Sequence, residues 1–289
     1  MKKTLIALIA ICLACTLIAE PLQEKLSLFD VNDAISYLQP LANTMGAGMN
    51  SGIYTSAKVL PPFRPNFRVG GTFALVPSSE KSFMTSNPLY ESVETATIFG
   101  TEVGEITLAA EKYLLPKGAD LSLVPIPQMM VSLGLPFGNE VMFRGWFETK
   151  ISSEIGDIAF WGVGLKHSID QYFGDLFPLD MSVLGFYQKM DIADFINLET
   201  YSANLAVSKK ILMLTLYGGV GYEQAKMKAK YTYSIPGLGS SVQELDFDAK
   251  NDFSGTLGAR LTIIPLLSVF GDFTFAHTST INFGIGVGF

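Results

Sequence analysis

The last eleven residues of the chain, STINFGIGVGF, alternate strictly between two kinds of side chain. Ile281, Phe283, Ile285, Val287 and Phe289 are large and apolar, whereas the residues between them are small or polar and carry no charge. A period of two is that of a β-strand with two different faces. A soluble strand with one buried face usually carries charge on the other face. By itself the segment fits an ordinary sandwich strand and a transmembrane barrel strand equally well.

The same alternation recurs along the chain, with one parity aromatic or branched and the other glycine, small polar or a single charge. It is found at residues 67–75, 141–147, 161–166, 201–208, 253–263 and 267–275. In a longer stretch, 214–234, the apolar parity ends at Tyr222 and continues as Gln224, Lys226, Lys228 and Lys230. A strand that leaves a bilayer changes its outer face in this way, with aromatic residues at the interface. The recurrence therefore favours a barrel in a membrane.

The first residues, MKKTLIALIAICLACTLIAE, combine a basic start with an apolar run. This pattern predicts a secretory signal over residues 1–19, with cleavage after Ala19. A lipoprotein signal at Cys15 is the alternative, although Cys12, Leu13 and Ala14 fit a lipid-attachment box poorly. The only two cysteines lie in this segment, so the exported chain has no disulfide framework and no thiol chemistry.

The composition restricts how such a chain can fold. Hydrophobic residues make up 48% of the sequence and charged residues 16%. No second apolar stretch is long enough for a membrane-spanning helix. An apolar exported chain without such a helix must either bury a large core or face lipid as a barrel. The net charge of −7 gives no indication of nucleic-acid binding.

We predict an all-β fold, an antiparallel transmembrane β-barrel of about 12 strands (range 10–14), over residues 48–289. Eleven candidate strands can be counted, the first at 49–59, whereas single-chain bacterial barrels have even numbers. Either one more strand lies in the long region 77–126, or the segment 49–59 is not part of the wall. Tight turns near 208–211 and 264–266 are expected on the periplasmic side. The longer connections 77–126, 190–197 and 235–252 are expected outside.

Residues 20–47 differ from the rest, because apolar residues recur there at helical spacing. Asp30 can cap the start of this helix, and Gly46 and Gly48 are expected to end it. Pro40 is expected to kink or split it. An amphipathic helix ahead of a barrel either plugs the lumen or lies in the periplasm. We favour the plug, because an apolar stripe left free in the periplasm has nothing to bury against.

Several segments resemble a group of uncharacterised outer-membrane proteins that are similar in plan to the long-chain fatty-acid transporter barrels. They are YLQPLANTMGAGMNSGIYTSAKV, TATIFG, LPKGADLSLVPIPQMMVSLGLPFGNEVMFRGW and GVGLKHSIDQYF. The resemblance extends over most of residues 30–289. It implies an outer-membrane barrel with an N-terminal plug, and it brings no known catalytic or binding residues.

A cluster of charges falls on the predicted lumen face. Its basic members are Lys58, Arg68, Arg144, Lys166 and Arg260, and its acidic members are Asp180 and Asp272. Charges in a spanning region usually face water or each other. The cluster is interpreted first as a network that fills the lumen or holds the plug. The alternative is a basic collar that meets a carboxylate or another anionic head group.

The sequence gives no sign of an active site. His167 and Ser168 are neighbours on a predicted strand, so their side chains point to opposite faces and cannot form a nucleophile–base pair. His277 is expected at a solvated loop tip. No metal-binding or nucleotide-binding motif is found, since GAGMNSG lacks the lysine of a phosphate loop. We therefore predict that the protein is not an enzyme and needs no cofactor or metal.

Three functions remain for a barrel in the bacterial outer membrane. The favoured one is passive uptake of a hydrophobic or amphipathic small molecule. The second is a structural or adhesive barrel with a filled lumen, and the third is a general porin. The expected partners are outer-membrane lipid and the barrel-assembly machinery, with a hydrophobic small molecule in the uptake case and no nucleic acid. Phe283, Ile285, Val287 and Phe289 are the predicted assembly signal.

Overall fold

The computed structural model describes residues 25–26, 29–108, 110–152, 156–173, 178–192, 195–235 and 239–288. The predicted signal and Phe289 lie outside these residues. Ten antiparallel strands pair with their neighbours in chain order and close into a ring, because the last of them pairs back to the first. The fold is therefore a closed, all-antiparallel β-barrel with one long helix, α1 (Val31–Asn50), near the N-terminus.

The ring strands are β1 (Pro65–Leu75), β6 (Leu123–Leu135), β7 (Asn139–Ser152), β8 (Gly156–Ser168), β9 (Asp180–Ile192), β10 (Ile196–Ile211), β11 (Leu214–Ile235), β13 (Phe253–Ile264), β14 (Leu267–Phe275) and β15 (Thr280–Gly288). Outside the ring lie β2 (Ser82–Met84), β3 (Glu94–Ala96), β4 (Glu105–Leu108), β5 (Glu111–Leu114) and β12 (Gly239–Asp248). The end of the barrel that carries the connection 76–122 is here called the loop end. The opposite end, which carries the turns 136–138, 212–213 and 265–266, is called the turn end.

The ring has ten strands, fewer than the predicted twelve and at the lower limit of the predicted range of 10–14. The candidate strand at 49–59 is the end of α1 followed by irregular chain, so the wall begins at Pro65 rather than at residue 48. The candidate strand at 244–263 is divided between β12 and β13. The 22-residue strand β11 is long enough to pair with β13 along its first half and with β12 along its second. As a result, β12 lies beyond the ring at the loop end and is not part of it.

The outward face of the ring is apolar. Outward positions on neighbouring strands pair with each other, as Val69 does with Ile285 and Phe143 with Val163. Large exposed side chains on this face are Phe67, Val69, Met129, Val131, Phe143, Val163, Leu165, Leu205, Leu216, Val220, Leu257, Leu261, Phe283 and Ile285. None of them is charged. An apolar band around an otherwise polar barrel is the surface that lipid requires.

Aromatic residues border this band toward the loop end. The ring of Tyr187 lies 5.4 Å from that of Trp161 and 4.9 Å from that of Tyr201, and Tyr222 packs 5.4 Å from Phe253. Their position agrees with the change of outer face expected at Tyr222.

Beyond the aromatic residues the outward face becomes charged. Lys228 on β11 donates to Glu244 on β12 at 2.9 Å and lies 3.2 Å from Asp246. The hydrogen bond from Lys228 lowers the pKa of the Glu244 carboxyl below its usual value. The β11–β12 extension is therefore a water-facing structure.

Helix α1 begins as expected but ends later. The Asp30 carboxylate accepts a hydrogen bond from the amide of Asp33 at 2.8 Å, which caps the first turn. The helix then continues through Pro40 and through Gly46 and Gly48. The two glycines do not end it, because they serve close packing. A Cβ on Gly46 would lie 2.6 Å from the Cβ of Ala225 on β11.

The connection 76–122 folds over the first half of α1 at the loop end. It contains the hairpins β2–β3 and β4–β5. Its apolar residues Ile98, Phe99 and Leu115 form one buried cluster with Tyr37 and Leu38 of the helix. Within the described part of the chain, no helix is both long and apolar enough to cross a membrane.

Candidate functional site

The candidate site is the set of contacts between residues 31–58, here called the N-terminal segment, and the inward side chains of the ring. After α1 the chain continues through residues 51–57, all of which are buried. It meets side chains from most strands of the ring, and these contacts are described below from the helix end toward the turn end.

The carbonyl oxygens at the end of α1 accept hydrogen bonds from three strands. Arg144 on β7 donates through Nη1 to the carbonyl oxygens of Met49 (2.7 Å) and Ser51 (3.0 Å). Gln188 on β9 donates to the same Met49 oxygen at 2.7 Å, and Gln128 on β6 to that of Ser51 at 3.2 Å. A buried cation here also complements the negative end of the helix dipole. The wall thus replaces the missing helical partners of these carbonyls.

The next contacts come from other parts of the ring. Thr280 on β15 donates to the Ser51 hydroxyl at 2.7 Å. Arg68 on β1 donates to the carbonyl oxygen of Ile53 at 2.5 Å. The Tyr54 ring lies 6.1 Å from that of Tyr217 on β11, edge to face.

At the turn end the segment contacts a buried ion pair. Lys166 Nζ lies 3.3 Å from a carboxylate oxygen of Glu140, and both side chains are buried. The same ammonium donates to the carbonyl oxygen of Lys58 at 2.9 Å. The same Glu140 oxygen accepts from the amide of Leu60 at 3.1 Å. The pair therefore satisfies backbone groups on both sides of Val59, and the Lys58 side chain itself is exposed.

Asp272 forms a second polar centre on the wall. Its carboxylate accepts hydrogen bonds from the Tyr217 hydroxyl at 2.8 Å and from the Asn282 amide at 2.6 Å. Asp180, by contrast, is half-buried and accepts a hydrogen bond from Ser208 at 3.3 Å. Ser208 also accepts from the amide of Ala57 at 3.0 Å. The two predicted acids thus bind neutral donors, and neither forms an ion pair with a predicted base in the described structure.

The buried guanidinium groups keep spare donors. Arg144 is fully buried, and its Nε and Nη2 have no hydrogen-bond partner among the described residues. Its guanidinium carbon lies 5.6 Å from the centre of the Phe160 ring. Nη1 of Arg68 and Nε of Arg260 are likewise without a partner in the described part of the chain. Such donors can hold bridging water or an anionic group.

Sequence reasoning missed several of the wall residues that hold the segment, among them Glu140, Gln128 and Gln188. Glu140 could have been found, because it shares the inward parity of Arg144 in the stretch NEVMFRG. The glutamines could not be singled out, since an uncharged amide on an inward position is common. Their role depends on carbonyl oxygens that lie far away in the sequence.

The two histidines have structural partners. His167 contacts Asn139 at 2.9 Å and Tyr172 at 3.0 Å, whereas Ser168 donates to Asp170 at 2.7 Å. His167 and Ser168 are therefore not hydrogen-bonded to each other in this structure. That the protein is not an enzyme stays a prediction. The described residues include no group of three or more His, Cys, Asp and Glu side chains that could hold a metal ion.

His277 lies in the β14–β15 connection, as expected, but it is not simply solvated. Its Nε2 is 2.6 Å from a Glu80 carboxylate oxygen, which also accepts from Asn43 of α1 at 2.7 Å. The helix is thus tied to two connections at the loop end.

The predicted assembly signal lies in the closing strand. Phe283 and Ile285 are about half exposed on the outward face. The Phe283 ring stacks on that of Phe73 at 5.2 Å, across the β1–β15 junction that closes the ring. The alternation at the C-terminus is therefore that of a wall strand, and its recognition by the assembly machinery stays a prediction.

A closed antiparallel ring with an apolar outer band and polar side chains inside has the architecture of a transmembrane β-barrel. The sequence matches a family model over residues 1–289. The chain belongs to that family, which is described as "Family of unknown function (DUF6588)".

Comparison with curated proteins gives no match. Solved structures that resemble the chain include Ail of Yersinia pestis, in complex with a heparin analogue, at 10% identity and a TM-score of 0.30. That match covers 79% of this chain and 100% of Ail. The translocator domain of the autotransporter NalP from Neisseria meningitidis matches at 9% identity and a TM-score of 0.32, covering 90% and 98%. Outer membrane protein AlkL matches at 9% identity and a TM-score of 0.32, covering 83% and 97%. Similarity at this level carries no function from those proteins to this chain.

Proposed function

We propose that the protein is a bacterial outer-membrane barrel whose lumen is closed by its own N-terminal segment. In this proposal it is a structural barrel that supports the loop-end surface and conducts no substrate. The observation that carries the proposal is the hydrogen bonding of residues 49–58 to strands β1, β6, β7, β8, β9, β10 and β15. A segment with partners on all these strands leaves little room for a solute.

Several features support a permanent role for the segment. Arg144, Arg68 and Lys166 each donate to a backbone carbonyl of the segment rather than pointing into free space. If the segment left the lumen, these side chains would lose their backbone acceptors and would have to be solvated by water instead. We therefore assign three members of the predicted basic cluster, Arg68, Arg144 and Lys166, to holding the plug.

Passive uptake of a hydrophobic molecule is the second candidate. It is favoured by the apolar cluster between α1 and the connection 76–122, which would suit an apolar ligand at the mouth. The cluster is filled by the protein's own side chains, so uptake would require α1 to move. The likeness in plan to fatty-acid transporter barrels belongs to this candidate and stays a prediction.

Conductance in planar bilayers tests the closed lumen. The full-length protein is expected to give no stepwise openings, whereas a variant that lacks residues 25–58 should conduct small ions. The variant's folding is checked by its faster gel migration without boiling. Stepwise openings from the full-length protein would contradict the proposal.

A disulfide supplies the matched control. The predicted exported chain has no cysteine, and the side-chain oxygens of Ser51 and Thr280 are 2.7 Å apart. The double variant S51C/T280C should therefore form a disulfide that binds the segment to β15. The oxidised protein should stay silent in bilayers. In the uptake candidate it should also lose, reversibly by reduction, any ligand uptake that the wild type has.

A further inference from the structure

The course of the N-terminal segment fixes which end of the barrel carries the start of α1. The Asp33 carboxylate accepts hydrogen bonds from the amide of Ser86 (2.7 Å) and from the Tyr90 hydroxyl (2.9 Å). Both partners belong to the connection 76–122. The amide of Ile98 in the same connection donates to the Tyr37 carbonyl oxygen at 3.1 Å. The first turns of the helix therefore lie at the loop end.

The chain just before the helix lies at the same end. Phe29 is buried and packs 5.9 Å from Phe83 of β2. Leu26 is also buried, in the same apolar cluster as Ile98 and Leu115 of the connection 76–122. Two separate positions ahead of the helix thus contact the loop-end structure.

The other end of the segment reaches the turn end. Lys58 and Leu60 bind the Lys166–Glu140 pair, and the amide of Phe63 donates to the Gly134 carbonyl oxygen at 2.8 Å, beside the β6–β7 turn. Strand β1 then begins at Pro65 and runs back toward the loop end. The chain therefore passes from one end of the barrel to the other before the wall starts.

The length of the segment agrees with such a passage. The 20 residues of α1 are about 30 Å long. The chain from Ser51 to Lys58 can add up to about 26 Å. The tallest strand, β11, has 22 residues and rises about 55 Å at a usual tilt.

We propose that the amino-terminal end of α1 is displayed on the outer surface of the cell, so that the chain crosses the lumen once from outside to the periplasmic end. The proposal rests on the proposed outer-membrane barrel. It adds that the long connection faces outward, as in bacterial barrels with short periplasmic turns. Residues 25–26 and 29–30 and the described part of the connection 76–122 then form one outer surface.

Labelling of single cysteines on whole cells tests this placement in the full chain. The variants are Val31→Cys at the helix start, Leu89→Cys in the connection and Leu212→Cys at the turn end, whose side chains are 44%, 75% and 90% exposed. The probe is a polyethylene-glycol maleimide too large for porins. Each variant is labelled on intact cells and after the outer membrane has been permeabilised, and the wild type is the unlabelled control.

We expect Val31→Cys and Leu89→Cys to label equally on intact and permeabilised cells, and Leu212→Cys to label only after permeabilisation. If Val31→Cys and Leu212→Cys are both labelled on intact cells, the proposal is overturned, whereas the outer-membrane barrel is not. Labelling of Leu212→Cys alone on intact cells would mean the opposite insertion and would also overturn it. Protection of all three variants on intact cells would refute the placement of the barrel at the surface.

Discussion

Replacing Gly46 by alanine has two opposing effects on the free energy of unfolding, one from helix propensity and one from packing. Alanine in the interior of a helix is favoured over glycine by about 1 kcal/mol. The added methyl group, however, would lie 2.6 Å from the Cβ of Ala225 and 3.4 Å from that of Ala249. Carbon atoms pack best at about 3.5–4.0 Å, so the helix must move away from β11 by about an ångström.

The packing penalty should exceed the gain in propensity. Inserting a methylene-sized group into a packed interior costs about 1–3 kcal/mol. The Ala225 methyl is attached directly to the strand backbone and cannot rotate away. The helix is also held by the hydrogen bonds to Met49 and Ser51, which a shift would lengthen. We therefore expect Gly46→Ala to lower the free energy of unfolding, by up to about 2 kcal/mol after the gain in helix propensity is subtracted.

Two further glycines provide controls. At Gly48 the added methyl would overlap Cδ1 of Ile126, the end of a flexible side chain that can rotate, so Gly48→Ala should be close to neutral. Gly255 on β13 has nothing within 4 Å of an added Cβ. Gly255→Ala should therefore raise stability by about 0.5–1 kcal/mol.

The assay is guanidinium unfolding in detergent, with the midpoint compared at constant m-value. A stabilised Gly46→Ala variant would refute the reasoning, because it would mean that α1 does not press against β11. Equal losses at Gly46 and Gly48 would show that rotation of the Ile126 side chain does not relieve the overlap.

Three other changes test separate parts of the structure. Leu212 has φ +54° in a two-residue turn, so Leu212→Gly should raise the unfolding midpoint by relieving about 1–2 kcal/mol of strain, whereas a lower midpoint would mean that its side chain has favourable contacts. Glu140→Gln should cost about 3–5 kcal/mol in the same assay because it leaves Lys166 buried without its partner, and adding Lys166→Met should recover part of that loss. Because Lys228 lowers the pKa of Glu244, the pair's contribution is present above the unfolded carboxyl value of about 4.3 and is lost as pH falls through the folded value. Hydrogen exchange in β11–β12, corrected for intrinsic rates, should therefore accelerate at low pH in the wild type and show no such step in Glu244→Gln.

The sequence predicts the wall well because each wall strand carries its own signal. Lipid demands an apolar side chain at every second position, and this demand is local, as the stretch from Phe283 to Val287 illustrates. The change of the outer face at Tyr222 could be predicted for the same reason. The number of strands could not be predicted, because residues 49–59 have no pairing signal of their own. Their place depends on Arg144 and Arg68, which come later in the chain.

The candidate site could be predicted only in part from the sequence. Parity placed Arg68, Arg144 and Lys166 on the inner face, since an odd–even rule needs no knowledge of the fold. What these side chains bind could not be deduced, because their acceptors are backbone carbonyl oxygens of the N-terminal segment. Every residue has such an oxygen, so the sequence does not mark the ones that are bound. The pairing of Lys166 with Glu140 across β7 and β8 likewise required the register of two strands.

The inner faces of the wall explain why the chain uses so many glycines there. A Cβ on Gly164 would overlap the ring of Phe186, and one on Gly258 would overlap that of Tyr217, so large side chains of one strand lie over glycines of the next. Barrel diameter grows with strand number, and a barrel of about eight strands is already filled by side chains. A ten-stranded ring has a wider interior. A helix about 10–12 Å wide would still overfill it unless small residues stood on the surfaces of the helix and of the wall. Gly46 and Gly48 leave the helix without side chains where it faces the wall, and the wall glycines leave room for large inward side chains of neighbouring strands. Lipid thus dictates the outer face of each strand by itself. The small inner face of the same strand makes room for large inward side chains of neighbouring strands and, at Gly219, for the Tyr54 hydroxyl of the N-terminal segment.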